Sequence, residues 1–191
     1  EMINLSEYFI SELDEHRDVL NLTKEKLQKD FVDLVKCCKE SIDSGGKIIF
    51  FGNGGSAADA QHLSTELTVK FSKEREPISA LALTTDTSAL TAIGNDFGFE
   101  KIFSRQIEAI GNSKDIAIAI STSGNSKNII EGVKSAKLIG MTVVAFTGMS
   151  GGELSKLSDI NIIIPSDTVS RIQEMHITIG QMLCNALEIN L

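Results

Sequence analysis

The chain has 191 residues, of which 42% are hydrophobic and 23% charged, with two prolines and fifteen glycines. That balance describes a globular protein and excludes a disordered or Pro-rich linker protein. A net charge of −8 argues against a duplex nucleic-acid partner, whose phosphates are gripped by Lys and Arg, yet leaves room for a small anion held by backbone N–H groups.

No apolar run approaches the ~18 residues a membrane helix needs, so no membrane partner is expected. The first residues include Glu1, Asn4, Ser6 and Glu7, too polar for a secretory signal. Cys37, Cys38 and Cys184 are odd in number, and the adjacent pair makes no zinc or redox motif. The expectation is a set of buried thiols in a reducing, cytoplasmic compartment.

Residues 1–44 carry apolar side chains at helical spacing and read as a helical arm. Leu5, Phe9, Leu13 and Leu20 predict one helix; Leu27, Phe31, Leu34, Val35, Cys38 and Ile42 predict a second, each with an apolar stripe to bury. Ser44, Gly45 and Gly46 stop it. His16, in the first helix, is expected on the surface without a partner.

From residue 45 to 191 the pattern changes. Short apolar runs recur at Ile48–Phe51, Ala80–Leu83, Ile116–Ile120, Val143–Phe146 and Ile162–Ile164. Each is too short for a helix and apolar enough to be covered on both faces, as central parallel strands are. Helical spacing fills 56–71, 87–110, 126–139 and 151–158, and a long terminal helix is predicted over 169–190. Strand–helix alternation predicts an α/β fold, a doubly wound, five-stranded parallel sheet flanked by helices. In such sheets ligands bind beyond the carboxyl ends of the strands. The loops there are rich in Ser, Thr, Gly and Asn, a set of small donors.

Gly52-Asn53-Gly54-Gly55-Ser56 follows the first strand. Its glycines suit either a close backbone approach to a ligand or a plain tight turn, with Ser56 as the cap of the next helix. It matches neither the P-loop nor the dinucleotide pattern. Ser121-Thr122-Ser123-Gly124-Asn125-Ser126 follows the third strand. One hydroxyl suffices for a cap; four at a helix start point to a phosphate cradle. His62 and Glu66 are four apart on one helix face, placed as a solvated pair, as metal ligands or as an acid–base pair. Gln173 and Gln181 lie about 80° apart around an ideal helix, so both can face one pocket. His176, between Met175 and Ile177, reads as a packed histidine. Asp86, Asn95 and Asp96 read as helix caps, Asp96 also as a ligand contact.

Gly52–Ser56, His62 with Glu66, Gly94-Asn95-Asp96-Phe97-Gly98, Ser121–Ser126 and Arg171-Ile172-Gln173-Glu174-Met175-His176 stand together in an order that resembles the phosphoheptose isomerases of the sugar-isomerase (SIS) superfamily, over about residues 45–188. The resemblance implies conversion of sedoheptulose 7-phosphate to D-glycero-D-manno-heptose 7-phosphate through an enediol, on the way to bacterial heptose for lipopolysaccharide or capsule. It implies a homotetramer with sites at subunit interfaces and one zinc ion per subunit. Carried over, Ser121, Thr122, Ser123 and Ser126 hold the phosphate with help from Ser56. Asn53, Gly54, Gly55, Asn95 and Asp96 line the sugar, with Glu66 and Gln173 touching it as well. His62, Glu66, Gln173 and Gln181 stand at the metal positions, Glu66 and Gln181 at the catalytic ones.

Two departures stand out. Gln181 occupies the place of a family histidine that is both metal ligand and acid–base partner, and glutamine cannot shuttle a proton near neutral pH. Lys70 stands where arginine is frequent and lacks its bidentate fork. A rival reading is a non-catalytic SIS protein that binds the replication initiator. Such a protein shares the glycine loop and the Arg171–His176 motif and also lacks the histidine. The presence of Glu66 and of a full Ser121–Ser126 loop favours the isomerase.

Overall fold

The computed structural model describes residues 3–190. Glu1, Met2 and Leu191, the outer ends of the expected arm and domain, lie outside the described residues.

Helix α1 (Leu5–Lys26) starts at Asn4, whose side-chain oxygen accepts from the Ser6 and Glu7 N–H groups. Such a cap satisfies donors that have no partner inside the helix. Helix α2 (Gln28–Asp43) follows and buries Leu34 and Cys38. The expectation that both helices bury an apolar stripe holds for α2 and needs correcting for α1. There Val19 and Thr23 are buried, while Leu5, Phe9 and Leu13 are 72%, 64% and 54% exposed. The first turns of α1 run past the edge of the core, so their apolar face finds nothing to cover it within this chain.

Polar contacts tie α1 down. The Arg171 guanidinium donates to the Glu12 carbonyl (2.6 Å) and pairs with Glu12, Glu15 and Glu174. His16, expected to stand alone, has its Nδ1 2.8 Å from a Glu174 carboxylate oxygen. The partner is 158 residues away in sequence, beyond the reach of any local pattern.

The five strands are β1 (Ile48–Gly52), β2 (Ala80–Ala82), β3 (Ile116–Ile120), β4 (Thr142–Gly148) and β5 (Ile160–Ile164), all parallel, in the order β2-β1-β3-β4-β5. Alternate residues feed two cores. Ile48, Phe50, Ile116, Ile118, Ile120, Val144 and Phe146 face one. Ile49, Phe51, Ala117, Ala119, Val143 and Ala145 face the other. A side chain of this kind contributes about 1.5–3 kcal/mol when fully enclosed, which is why the runs read as apolar throughout.

Helices α2, α3 (Gly55–Thr68) and α8 (Val169–Asn190) cover the first core. Helices α5 (Ser104–Ile110), α6 (Lys127–Ile139) and α7 (Gly152–Leu157) cover the second, with α4 (Thr87–Phe97) at its border. The stretch 87–110, read as one helical segment, is broken. Gly98 has φ +93°, a single 3-10 turn spans Phe99–Lys101, and only then does α5 begin. Asp86 is the N-cap of α4, accepting from the Ala89 N–H at 3.0 Å. Asn95 and Asp96 are not caps; they sit inside the last turns of α4.

His176 is 1% exposed between α8 and β4, and its Nε2–H donates to the Thr147 carbonyl at 2.9 Å. Burial pushes its pKa down to about 4, the Thr147 bond opposing weakly. The folded ring therefore stays neutral where the unfolded ring, near 6.5, takes a proton. The linkage contributes stability above pH 6.5 that is lost as pH falls towards 4, roughly 3 kcal/mol in all. Thermal unfolding should show Tm dropping across that window, with His176→Gln flattening the drop. Equal slopes in the two proteins would count against the assignment.

Candidate active site

The strand order reverses between β1 and β3, and both neighbouring loops open onto that crevice. Open α/β sheets of this order bind ligands at that switch point. The two loops that stood out in the sequence are the two that flank it.

After β1 the chain turns at Gly54, with φ +57°, ψ −120°. That conformation strongly favours glycine. Gly54 also forms the N-cap of α3, and its carbonyl accepts from the Ala57 and Ala58 N–H groups. Ser56 is therefore not the cap. It lies one residue inside the helix, 4% exposed, its N–H bonded to the Asn53 carbonyl at 3.0 Å. Gly55 lies against Gln173: a Cβ there would come within 2.9 Å of the Gln173 amide nitrogen and push that side chain aside. The structure thus brings Gln173 against the glycine loop.

Asn53 has a partner that sequence reading missed. Its side-chain amide and that of Asn128 donate to each other at 2.9 and 2.8 Å. Asn128, 3% exposed in the first turn of α6, locks the glycine loop to the Ser/Thr loop. The available signal was an asparagine just inside a helix that needed no second cap.

The loop after β3 is fixed mainly by backbone contacts. Gly124 has φ +68° and packs against the carbonyl of Gly151, leaving no room for a side chain. Its own carbonyl accepts from the Leu154 N–H at 2.9 Å, and the Thr122 carbonyl from the Gly148 N–H at 3.0 Å. Ser126 is the N-cap residue of α6 but gives no side-chain capping bond. Its oxygen accepts instead from the Ser121 hydroxyl at 3.3 Å. Ser123 accepts from the Asn125 N–H, while Asn125 accepts from the Glu153 N–H. Helix α6 thus starts without the usual side-chain oxygen on its N–H groups, beside the hydroxyls of Thr122 and Ser123. This arrangement can take phosphate oxygens.

On α3, His62 Nε2 lies 3.0 Å from a Glu66 carboxylate oxygen, with Glu66 22% and His62 47% exposed. Asp59, three residues before His62, shares that face and was not singled out in the sequence. Burial raises its carboxyl pKa, His62 pulling the other way. The i, i+3, i+7 spacing was the signal for it.

Helix α8 runs alongside α3. Gln173 reaches Gly55, Gly180 abuts Leu63, and the Cys184 thiol points at the Leu63 carbonyl. Burial pushes the Cys184 thiol up to about 12, and the Glu66 carboxylate adds to the rise. Gln181 is half-buried on the same helix, one turn from Cys184. His176, the histidine of α8, is the imidazole nearest in sequence to position 181 and a candidate for the acid–base role there. Its enclosure against Thr147 and its pKa of about 4 rule that out. Asn95 and Asp96 are exposed and bond each other at 2.7 Å. Lys70 is exposed, just beyond the end of α3.

A metal ion held at the four positions that the family resemblance marks would take one imidazole, one carboxylate and two amide oxygens, from His62, Glu66, Gln173 and Gln181. Among the described residues no group of three or more His, Cys, Asp or Glu is placed to share a cation. Catalytic zinc normally takes three such ligands from the protein. Those four positions supply two of that kind, His62 and Glu66, and two amides.

Residues 13–148 match the SIS domain family. The chain is 50% identical over 174 residues to phosphoheptose isomerase of Paramagnetospirillum magneticum, covering 91% of each chain. It is 49% identical over 187 residues to phosphoheptose isomerase 1 of Campylobacter jejuni, covering 98% of each. The solved phosphoheptose isomerase of Neisseria gonorrhoeae superposes with a TM-score of 0.92 at 39% identity, covering 97% of this chain and 99% of that one. With the switch-point loops, the His62–Glu66 pair and these likenesses together, the chain belongs to the phosphoheptose isomerases of the SIS family.

Proposed function

We propose that this chain isomerises sedoheptulose 7-phosphate to D-glycero-D-manno-heptose 7-phosphate through an enediol. The observation that carries the reading is the meeting, at one switch point, of the Ser121–Ser126 loop and the Gln173-lined glycine loop, joined by the Asn53–Asn128 amides, with the His62–Glu66 pair on the helix that the glycine loop starts.

The Ser/Thr loop and the start of α6 would hold the phosphate, which fixes the sugar along the crevice towards α3. Glu66 would take the proton from C1 of the ketose and return it to C2, leaving an aldehyde at C1. His62, bonded to Glu66, would orient the carboxylate. The hydroxyl proton must also move from O1 to O2, and water would carry it, since an amide at 181 cannot. Zinc, one per subunit on His62, Glu66, Gln173 and Gln181, would supply positive charge for the developing oxyanion when bound.

The finer reading includes a homotetramer with sites at subunit interfaces, in the cytoplasm, feeding heptose to lipopolysaccharide or capsule. The exposed Leu5, Phe9 and Leu13 support the assembly. Among the described residues no helix is long and apolar enough to cross a membrane. With curated relatives that carry the isomerase's name over nearly their full length, the initiator-binding reading falls behind.

The test is direct. Purified protein with sedoheptulose 7-phosphate should give heptose 7-phosphate by NMR, with turnover rising when zinc is added. Capture of the replication initiator, without turnover or sugar-phosphate binding, would overturn the enzyme.

A further inference from the structure

Glu66 lies in the last turn of α3. The final four carbonyls of a helix have no partner inside it, and last turns fray. A base placed there needs something outside the helix to hold it still.

Arg75 does this. One terminal nitrogen of its guanidinium donates to the Glu66 carbonyl at 2.8 Å, the other to the Leu67 carbonyl at 2.8 Å. A cation is also favoured at this end of a helix by its dipole. Arg75 is itself held by Glu188, whose carboxylate is 3.3 Å from Nε. That carboxylate is fully enclosed and accepts from the N–H groups of Phe71, Ser72 and Lys73 at 2.8, 2.9 and 2.7 Å, and from the Ser72 hydroxyl at 2.7 Å. The whole turn between α3 and Arg75 is thus wrapped around one anion.

Glu188 sits in the last turn of α8, where the helix dipole opposes a negative charge. A residue that breaks a local rule is expected where function demands it. Helix α8 is also the helix that carries Gln173 and Gln181. Through Glu188 and Arg75 it sets the end of α3, and so the distance between its own amides and the Glu66 carboxylate.

We propose that Glu188 and Arg75 are positioning residues for Glu66, acting in series from α8 to the last carbonyls of α3. The inference rests on the reading of Glu66 as the base. A displacement of about 1 Å at such a group can cost up to about a hundredfold in rate. These contacts involve residues 66–75 and 188 and none of the Ser121–Ser126 loop, so phosphate binding should be spared.

The test uses Arg75→Lys and Glu188→Gln in the full chain, with Glu66→Gln as the reference. Arg75→Lys keeps the charge and loses the fork, so it should fold even if Glu188→Gln does not. Arg75→Lys should lower kcat about fivefold with KM for the sugar phosphate within about twofold. If Glu188→Gln also folds, the double variant should fall no further than the worse single, because the two act as one unit. Unchanged kcat in Arg75→Lys, beside an inactive Glu66→Gln, would overturn the positioning role and leave the base in place. Multiplicative losses in the double variant would overturn the series. Full activity in Glu66→Gln would remove the base, and this role with it.

Discussion

Glu66→Gln should lower kcat by at least about a hundredfold while the protein keeps its fold and still binds sugar phosphate. General acid–base catalysis by one positioned group supplies roughly 10²–10⁴ in rate. The amide is nearly isosteric and can still bond His62, so α3 and its packing should survive. What it loses is the basic carboxylate oxygen that takes the C1 proton, since an amide oxygen accepts hydrogen bonds but is not a base near neutral pH. The Ser121–Ser126 loop is built from β3 and α6, held by Gly124, Gly148 and Leu154, and does not depend on residue 66. NMR turnover measures the first quantity and calorimetric titration with sedoheptulose 7-phosphate the second. A variant within about threefold of the parent rate would mean the proton goes elsewhere, with half-buried Asp59 on the same helix face the group to replace next.

The sheet was legible because its strands are enclosed on both faces. Ile116–Ile120 could be read as a strand from composition alone, since every position in it is buried. The two loops were legible for a related reason: small hydroxyl and glycine residues in a row do no work in a core. Less legible were features that depend on distant partners. Ser56 looked like a cap because serine usually caps, but Gly54 turns the chain earlier and carries the capping geometry. The break in 87–110 came from Gly98 alone, whose positive φ the helical spacing around it concealed. The Asn53–Asn128 lock spans 75 residues and the Glu188 contacts with the turn at 71–73 span 115–117, so no local pattern could announce either. The apolar stripe of α1 was legible as a stripe, but not that this chain alone leaves it uncovered, because periodicity shows a face and not what covers it.

Gln181→His should raise kcat at least about tenfold near neutral pH and tighten zinc binding. Three observations leave this position as the missing piece. His176 is sealed against Thr147 with a pKa of about 4, so it is neither reachable nor basic enough. The Cys184 thiol, beside Glu66, is held near 12 and keeps its proton. His62 already bonds the base itself and so adds no second, independent shuttle. In the parent chain, with these three groups set aside, water is the carrier proposed for the hydroxyl proton from O1 to O2. An imidazole at 181 titrates near 6.5 and can both take and give a proton there. It would also give a metal ion a second imidazole, making three strong ligands with His62 and Glu66, the number a catalytic zinc site usually has. The gain should therefore appear twice: as rate, shrinking below about pH 6 where the new ring stays protonated, and as a tighter zinc titration measured without substrate. Tighter zinc binding with an unchanged rate would show that proton transfer between the oxygens is not what limits this enzyme. A higher rate with unchanged zinc affinity would place the shuttle, and not the metal, as what glutamine removed.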